Sequence, residues 1–203
     1  FQQALARTVG NEHAPPAFLL DETFVNEYPE LMVSFEIVHM TELLRDLLGA
    51  GKLEAMAFDA DGRLWNTEMG PLHGDELNLV LKGRNYGYPI VSEGDHYSGE
   101  KIPNHDTRPE FEAPKLWWTP VISPGDFMIY QGSLFPDWRG DGFAAGLSSK
   151  ALIRIRFDGN AAEEAERYGM GQRIRAVREG PDGAIWLLQD GPGGKLLRLT
   201  PEN

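Results

Sequence analysis

The spacing of hydrophobic positions changes near residue 52 and divides the chain into two parts. Before this point, residues 41–48 carry leucines at i, i+1, i+4 and i+5, with Thr41 as a candidate N-cap and Gly49 as a candidate stop. After it, short aliphatic runs alternate with turn residues, which is typical of strands joined by tight loops. The pattern predicts a partly helical N-terminal region, residues 1–52, followed by an all-β region, residues 53–203.

Two hairpins with the same turn sequence occur far apart in the β region. Asp61-Gly62 and Asp182-Gly183 each lie between two apolar runs and precede a tryptophan. The two aspartates are 121 residues apart, or about three propeller blades of roughly 40 residues. Two aliphatic strands, 152–155 and 196–199, are 44 residues apart, about one blade. These spacings favour a repeating unit of about the length of one propeller blade. Two unrelated hairpins are the alternative.

Composition disfavours several functional classes. The net charge of −12 and the pI near 4.8 argue against binding to nucleic acid or to an anionic lipid surface. The chain has no cysteine, so neither disulfides nor thiol catalysis is available. No apolar run of about 18 residues predicts a membrane span, and no signal peptide is visible. Because the chain begins with Phe1, processing, truncation or an incomplete sequence is expected.

The densest cluster of turn residues and carboxylates lies between Trp65 and Gly99. Gly70-Pro71 forces a turn and, since proline has no N–H, leaves carbonyl oxygens unpaired. Asp75 and Glu76 follow closely, and carbonyl and carboxylate oxygens are the ligands that calcium takes. The alternative is an ordinary loop in which Gly70 and Pro71 only form a turn and the carboxylates are solvated.

Two further groups are candidates for ligand binding. Tyr97 offers a flat ring and a hydroxyl, although a ring packed on the core with its hydroxyl in water is the alternative. Arg173 and Arg175 are two residues apart, so a strand would place both guanidinium groups on one face. There they repel each other unless an anion lies between them. The alternative is a solvated face balanced by the acidic segment 163–166.

Two segments, from Glu68 to Asn78 and from Gly83 to Pro89, resemble the soluble PQQ-dependent aldose (glucose/sorbosone) dehydrogenase family. The resemblance covers the chain from about residue 55 onward, whereas residues 1–52 match poorly. It implies a six-bladed β-propeller, present here in part. It also implies a quinoprotein oxidoreductase that oxidises an aldose sugar by hydride transfer to calcium-bound pyrroloquinoline quinone (PQQ). An external electron acceptor, a periplasmic or secreted location and a homodimer are further expectations.

The resemblance also assigns roles to individual residues. It implies that the main-chain carbonyls of Gly70 and Pro71 hold the calcium ion next to PQQ. It implies that Glu76 and Tyr86 bind a second, structural calcium ion. The residues that it places against PQQ are Tyr97, Gly146, Leu147, Ser148, Arg173 and Arg175. Calcium beside a quinone would act as a Lewis acid.

One part of such an enzyme has no match in this sequence. Relatives carry a catalytic histidine in their N-terminal blades and a G-H-R-N-P-Q-G run before the first hairpin, where residues 49–55 here read G-A-G-K-L-E-A. None of the five histidines matches the base, so the catalytic residue is unknown. Two alternatives stay open: a non-catalytic propeller module that binds a protein or a sugar, and a calcium-dependent propeller hydrolase of the lactonase type.

Overall fold

The structure, a computed structural model, describes residues 53–201. This range forms three antiparallel sheets that follow one another along the chain, two of four strands and one of three. The strands of the first sheet are β1 (Leu53–Phe58), β2 (Leu64–Glu68), β3 (Asp75–Val80) and β4 (Leu116–Trp118). Those of the second are β5 (Pro124–Ile129), β6 (Gly142–Gly146), β7 (Ala151–Asp158) and β8 (Ala161–Gly169). The third contains β9 (Ile174–Glu179), β10 (Ile185–Gln189) and β11 (Leu196–Leu199).

The all-β prediction is confirmed for the described range. Its only helical segments are two short 3₁₀ turns, His105–Thr107 and Pro136–Trp138. Between residues 53 and 201, no helix combines the length and the apolar character needed to cross a membrane. The predicted N-terminal helix, residues 41–48, lies outside the described residues, and the division of the chain at residue 52 stays a prediction.

Both Asp-Gly hairpins are confirmed, as the β1–β2 and β9–β10 turns. In the first, the Asp59 carboxylate organises the turn by accepting hydrogen bonds from the backbone N–H of Arg63 at 2.9 Å and from the Trp65 indole at 2.9 Å. Gly62 has φ 78, a conformation that glycine adopts without steric cost. Local chemistry therefore fixes the position of this turn.

The spacing of the two hairpins corresponds to two sheets, so the prediction of about three blades was wrong. Asp61 lies in the first sheet and Asp182 in the third. The first repeat is long because residues 81–115 connect β3 to β4 mostly without regular structure. The 44-residue spacing between 152–155 and 196–199 is confirmed as one sheet, because β7 and β11 are both third strands.

The second sheet is covered by apolar side chains on both faces. Phe127 and Ile129 pack in one core with Trp65 of the first sheet, whereas Met128 packs in another core with Val177 of the third. This alternation follows from the two-residue period of a strand, and each large apolar side chain buried in this way contributes about 1.5–3 kcal/mol.

The antiparallel order places alternate connections at the same end of the three sheets. The first strands β1, β5 and β9 contact one another in turn, and short connections join each sheet to the next. The end that we call the site end therefore carries residues 69–74, 119–123, 147–150, 170–173 and 190–195. Turns 59–63 and 180–184 lie at the opposite end.

Candidate functional site

The corner between β2 and β3, residues 69–74, is tightly packed around Gly70. A Cβ atom on Gly70 would lie 2.1 Å from the carbonyl oxygen of His73, so no larger residue fits. Within the described part of the chain, no hydrogen bond reaches the carbonyl oxygens of Gly70 or Pro71. Both oxygens are therefore free to contact a cation, and carbonyl oxygens suit calcium.

Tyr97 lies on a loop that is fastened to this corner. The backbone N–H of Leu72 donates to the carbonyl of Asp95 at 2.9 Å, and the N–H of Gly99 donates to His96 at 2.8 Å. Tyr97 is 80% exposed, so the alternative of a ring packed on the core is wrong. An exposed flat ring next to the corner suits stacking against a planar ligand.

Asp75 joins the corner to the second sheet. Its Oδ1 accepts a hydrogen bond from the Gly70 N–H at 2.8 Å, and its Oδ2 accepts from the N–H groups of Ile122 at 2.8 Å and Ser123 at 2.6 Å. The side chain is buried, which contradicts the alternative of a solvated loop carboxylate. Burial raises the pKa of Asp75, and the three backbone bonds act in the opposite direction.

The segment after β6 meets the same part of the second sheet. The Leu147 N–H donates to the Ser123 carbonyl at 3.0 Å, and the Ser148 hydroxyl donates to the Val121 carbonyl at 3.0 Å. A Cβ on Gly146 would lie 2.0 Å from the Ser149 Oγ, so the strand end is as tight as the Gly70 corner.

The third sheet approaches these residues through Gly125. A Cβ atom at this position would lie 2.9 Å from the carbonyl oxygen of Arg175 and 3.2 Å from Cγ of Leu147. A continuous chain of contacts therefore runs from Gly70 through Asp75 and the segment 121–125 to Arg175. The structure thus brings Gly70, Pro71, the 146–148 segment and Arg175 to one end of the fold.

Arg173 and Arg175 converge on one carboxylate of their own sheet. Arg173 Nε lies 2.9 Å and Arg175 Nη2 lies 3.2 Å from Oδ2 of Asp190. The hydrogen bond from Arg173 lowers the pKa of Asp190. The expected alternative, a balance by the acidic segment 163–166, is wrong because those glutamates pair with arginines 154, 156 and 167.

A second cluster of polar side chains lies on the face of the first sheet opposite to the Asp75 side chain. Glu68 of β2 and Glu76 of β3 are direct cross-strand partners. Among the described residues, the side chains that donate to them are amides, Asn66 to Glu68 at 2.8 Å and Asn78 to Glu76 at 3.3 Å. Burial, with a contribution from the Glu68 charge, raises the pKa of Glu76 to about 7. Burial also raises the pKa of Glu68.

Tyr86 lies close to this cluster, and its main-chain carbonyl oxygen contacts the ring of a histidine. The buried His105 ring places Nε2 2.9 Å from the Tyr86 carbonyl oxygen and Nδ1 3.0 Å from Oε1 of Glu93. The Tyr86 hydroxyl donates to the carbonyl of Leu79 at 2.6 Å. A carbonyl oxygen has two lone pairs, so that of Tyr86 keeps one acceptor position besides the histidine.

The donor set of this second cluster fits a hard cation. The Asn78 Oδ1 atom is buried and accepts no hydrogen bond from any residue that the structure describes. The buried Glu76 carboxyl, the half-buried Glu68 carboxyl and an unpaired amide oxygen offer the oxygen ligands that calcium prefers. In residues 53–201, no group of three or more histidine, aspartate or glutamate side chains is placed to hold a metal, so an ion here depends on amide and carbonyl oxygens as well.

Sequence reasoning missed three residues that shape the candidate site. Ser123 and Asp190 were not considered, and His105 was only counted among the histidines without a role. Asp190 could have been found by continuing the pairing of β9 and β10 outward from their turn, because this pairing brings residue 190 close to residues 173–175. Nothing local in the sequence marks Ser123 or His105, because their partners come from distant segments.

Comparisons with known proteins agree with this geometry. The family model described as Glucose / Sorbosone dehydrogenase matches residues 48–198. Aldose sugar dehydrogenase YliI of Escherichia coli is 38% identical over 146 residues, which cover 69% of this chain and 39% of that protein. The uncharacterised protein slr1608 of Synechocystis is 40% identical over 154 residues, 74% of this chain and 37% of that one. The chain therefore spans less than two fifths of the length of these curated relatives.

Solved structures share the fold. A glucose dehydrogenase superposes with a TM-score of 0.68 at 39% identity, covering 74% of this chain and 45% of that one. The apo form of the soluble aldose sugar dehydrogenase of E. coli gives a TM-score of 0.65 at 35% identity, with coverages of 73% and 44%. The PQQ-bound aldose sugar dehydrogenase of Streptomyces coelicolor gives 0.53 at 28%, with coverages of 73% and 42%. The prediction of a partial propeller of this type is confirmed.

Proposed function

From the fact that the chain belongs to the glucose/sorbosone dehydrogenase family, we propose that it forms the cofactor-holding part of an aldose sugar dehydrogenase that uses PQQ and calcium. One observation carries the proposal. The free carbonyl oxygens of Gly70 and Pro71 and the arginines of the third sheet lie at the same end of the fold, joined by a continuous chain of contacts. The proposed reaction is the oxidation of an aldose by hydride transfer.

Different residues at the site end are proposed to bind calcium, to bind the carboxylates of PQQ and to stack on its rings. The carbonyl oxygens of Gly70 and Pro71 are proposed ligands of a calcium ion at the corner. Arg173 and Arg175 each keep N–H groups that no other described residue accepts, and these suit the carboxylates of PQQ. Tyr97 would stack on the ring system, with the segment 146–148 beside it. When bound, PQQ supplies the hydride acceptor and calcium supplies a Lewis acid.

A second calcium ion is proposed at the polar face of the first sheet. Glu76 would be its main ligand. The family resemblance also implies Tyr86 at this ion, and we propose that its carbonyl oxygen is the ligand atom. The half-buried Glu68 carboxyl and the unpaired Asn78 amide oxygen support this assignment, because carboxylates removed from water without a cationic partner are costly. This ion would stabilise the sheet that carries the Gly70 corner.

The proton acceptor for the sugar hydroxyl is not assigned to this chain. His105 is buried and hydrogen-bonded on both ring nitrogens, which suits a structural role. The external electron acceptor, the homodimer and the periplasmic or secreted location are also proposals for the whole protein. A non-catalytic propeller module and a lactonase-type hydrolase are the competing functions.

Reconstitution of the full chain with PQQ and calcium chloride tests the proposal. We expect a shift in the quinone absorbance that depends on calcium, followed by dye reduction when an aldose is added. Binding of PQQ without dye reduction would support the cofactor-holding role alone. The absence of any absorbance shift would contradict the proposal. Calcium-dependent thermal stabilisation without PQQ binding would then favour the non-catalytic module, and lactone hydrolysis in calcium would favour the hydrolase.

A further inference from the structure

Asp75 is a buried carboxylate that ties the first sheet to the second at the site end. All its hydrogen bonds within the described residues come from backbone N–H groups, one in the Gly70 corner and two in the segment before β5. A buried carboxylate in this arrangement fixes the positions of three main-chain groups at once. Removing it leaves three N–H groups short of an acceptor, which is costly in a buried site.

The segment that Asp75 holds contains a strained residue. Ser123 has φ 50, a left-handed conformation that is strained for a residue other than glycine. Its N–H donates to Asp75 at 2.6 Å, and its carbonyl accepts from Leu147 at 3.0 Å. The surroundings therefore force a conformation that Ser123 would not adopt alone.

The same segment is the common contact of the other two parts of the site. Ile122 accepts a hydrogen bond from the Ser148 N–H at 3.1 Å, and Gly125 leaves no room for a side chain against the Arg175 carbonyl. A shift of residues 121–125 would therefore move both the 146–148 segment and the start of β9.

We propose that Asp75 is a positioning residue of the candidate site. Its carboxylate holds the Gly70 corner and residues 121–123 in the one arrangement in which the segments of all three sheets meet. The inference rests on the proposed function for the identity of the ligand, whereas the coupling of the segments is a property of this chain by itself.

The variant Asp75→Asn tests this role because it keeps the shape and replaces one acceptor oxygen by a donor. In the full chain with calcium, we expect the PQQ dissociation constant to rise about tenfold or more, the loss typical of a buried donor left unpaired. Hydrogen exchange should become about tenfold faster in peptides covering 69–74, 121–125 and 147–149, while exchange in β6 and β7 stays slow.

The matched control is Tyr130→Phe. The Tyr130 hydroxyl is also a buried hub, which donates to the Gly183 carbonyl at 2.7 Å and accepts from the N–H groups of Leu134 at 3.1 Å and Phe135 at 3.2 Å. These partners lie at the end opposite the site. Tyr130→Phe should accelerate exchange at 131–135 and 180–184, and leave the PQQ dissociation constant unchanged within about twofold.

A second substitution separates positioning from general stability. Glycine adopts φ 50 freely, so Ser123→Gly in the Asp75→Asn background should recover at least about half of the lost PQQ binding free energy. The same change in the Tyr130→Phe background should have no effect on binding. Failure of this rescue would overturn the proposal.

The outcomes distinguish the inference from the proposed function. If the unsubstituted chain does not bind PQQ, the proposed function fails, and hydrogen exchange alone decides the role of Asp75. If Asp75→Asn accelerates exchange only at residues 69–74, Asp75 does not position the other segments and the inference is overturned. If Asp75→Asn does not fold, the unsubstituted chain provides the test, because the amides of Gly70, Ile122 and Ser123 should exchange at rates within about tenfold of one another.

Discussion

Two pairs of like charges in this molecule differ in their exposure and in the partners that they find within the described residues. Arg173 and Arg175 are about half exposed, with side chains 47% and 45% accessible, and both bind one oxygen of Asp190. Glu68 and Glu76 face each other across two strands, and Glu76 is only 8% exposed. Amide groups are the only side-chain hydrogen-bond donors to the acidic pair within the described residues. Among residues 53–201, the basic pair therefore has an internal counterion, whereas no salt bridge reaches the acidic pair.

The difference indicates which pair is the stronger candidate for stabilisation by an outside ion. Burying carboxylates without a cationic partner costs free energy, and the raised pKa of Glu76 reports that cost. The charges of the two arginines, in contrast, are already paired with Asp190 in the absence of any ligand. Repulsion between the two guanidinium groups is thus no argument for a bound anion, and anion binding has to come from their remaining N–H groups.

The largest expected effect is the loss of calcium stabilisation in Glu76→Gln. A calcium concentration of about 100 times the dissociation constant should stabilise the unsubstituted chain by about 2.7 kcal/mol, or about 5–10 °C in melting temperature for a chain of this size. Glu76→Gln removes the proposed main ligand, so calcium should shift its melting temperature by less than about 1 °C. Differential scanning fluorimetry with calcium or with EDTA measures both.

The control for this experiment is Glu163→Gln, an exposed glutamate on the outer strand β8. It should keep the full calcium shift, because Glu163 is exposed and pairs with Arg156 of its own sheet rather than with the acidic pair. A calcium shift that survives in Glu76→Gln would mean that the acidic pair does not bind the ion.

Calcium-free stability should depend on pH through Glu76. The unfolded chain loses this proton near the ordinary pKa of 4.5, whereas the folded chain keeps it until about pH 7. Between these values the folded state holds more protons, so the free energy of unfolding falls as pH rises and levels off above about pH 7. We expect a loss of about 1–3 kcal/mol between pH 5 and pH 8.

Urea unfolding at the two pH values, with the unsubstituted chain and Glu76→Gln side by side, isolates this contribution. Glu76→Gln should lose less stability over the interval, and at pH 8 without calcium it should be the more stable of the two. Saturating calcium should reduce the pH dependence of the unsubstituted chain. An equal loss in both proteins would show that Glu76 does not carry the effect.

The fold was largely predictable because its signals are local. Asp-Gly turns between alternating runs identify hairpins, and the side-chain bonds of Asp59 in the first turn come from residues no more than six positions away. The count of sheets between the two hairpins was not predictable in this way. It depends on the long connection 81–115, whose length no periodicity reveals.

The candidate site was predictable only where family resemblance marks it. Gly70, Pro71 and the arginines carry recognisable motifs, but Asp75 was considered only as a loop carboxylate. Its partners at residues 122 and 123 are 47 and 48 positions away, and no local pattern connects them. Asp190 was within reach of sequence reasoning, because pairing Trp186 with Arg178 and Leu188 with Ala176 leads on to this residue.

Substitution of the basic pair should weaken PQQ binding without affecting calcium stabilisation. Arg173→Ala and Arg175→Ala each remove charge-assisted hydrogen bonds to the carboxylates, so each should raise the PQQ dissociation constant about tenfold. Their calcium-induced melting shift should equal that of the unsubstituted chain. The quinone absorbance titration and the fluorimetry described above give the two values.

Arg156→Ala is the matched control for the arginine variants, because Arg156 is exposed and pairs with Glu163 in the second sheet. It removes the same charge from the chain at a distance from the site end. A tenfold loss of PQQ affinity in this variant too would attribute the effect to net charge rather than to the site.

The smallest effect is expected from Asp190→Asn, which removes the internal counterion. Ion pairs of half-exposed arginines contribute little to stability because solvent screens them, so the melting temperature should change little. The asparagine oxygen still accepts a hydrogen bond, while the site end becomes more positive, so an anionic ligand should bind about two- to fivefold more tightly at low salt. Isothermal titration with PQQ at two salt concentrations measures the change. A tenfold loss of affinity would instead mean that Asp190 is needed to orient the guanidinium groups, and the basic pair would then resemble the acidic pair in depending on its partner ion.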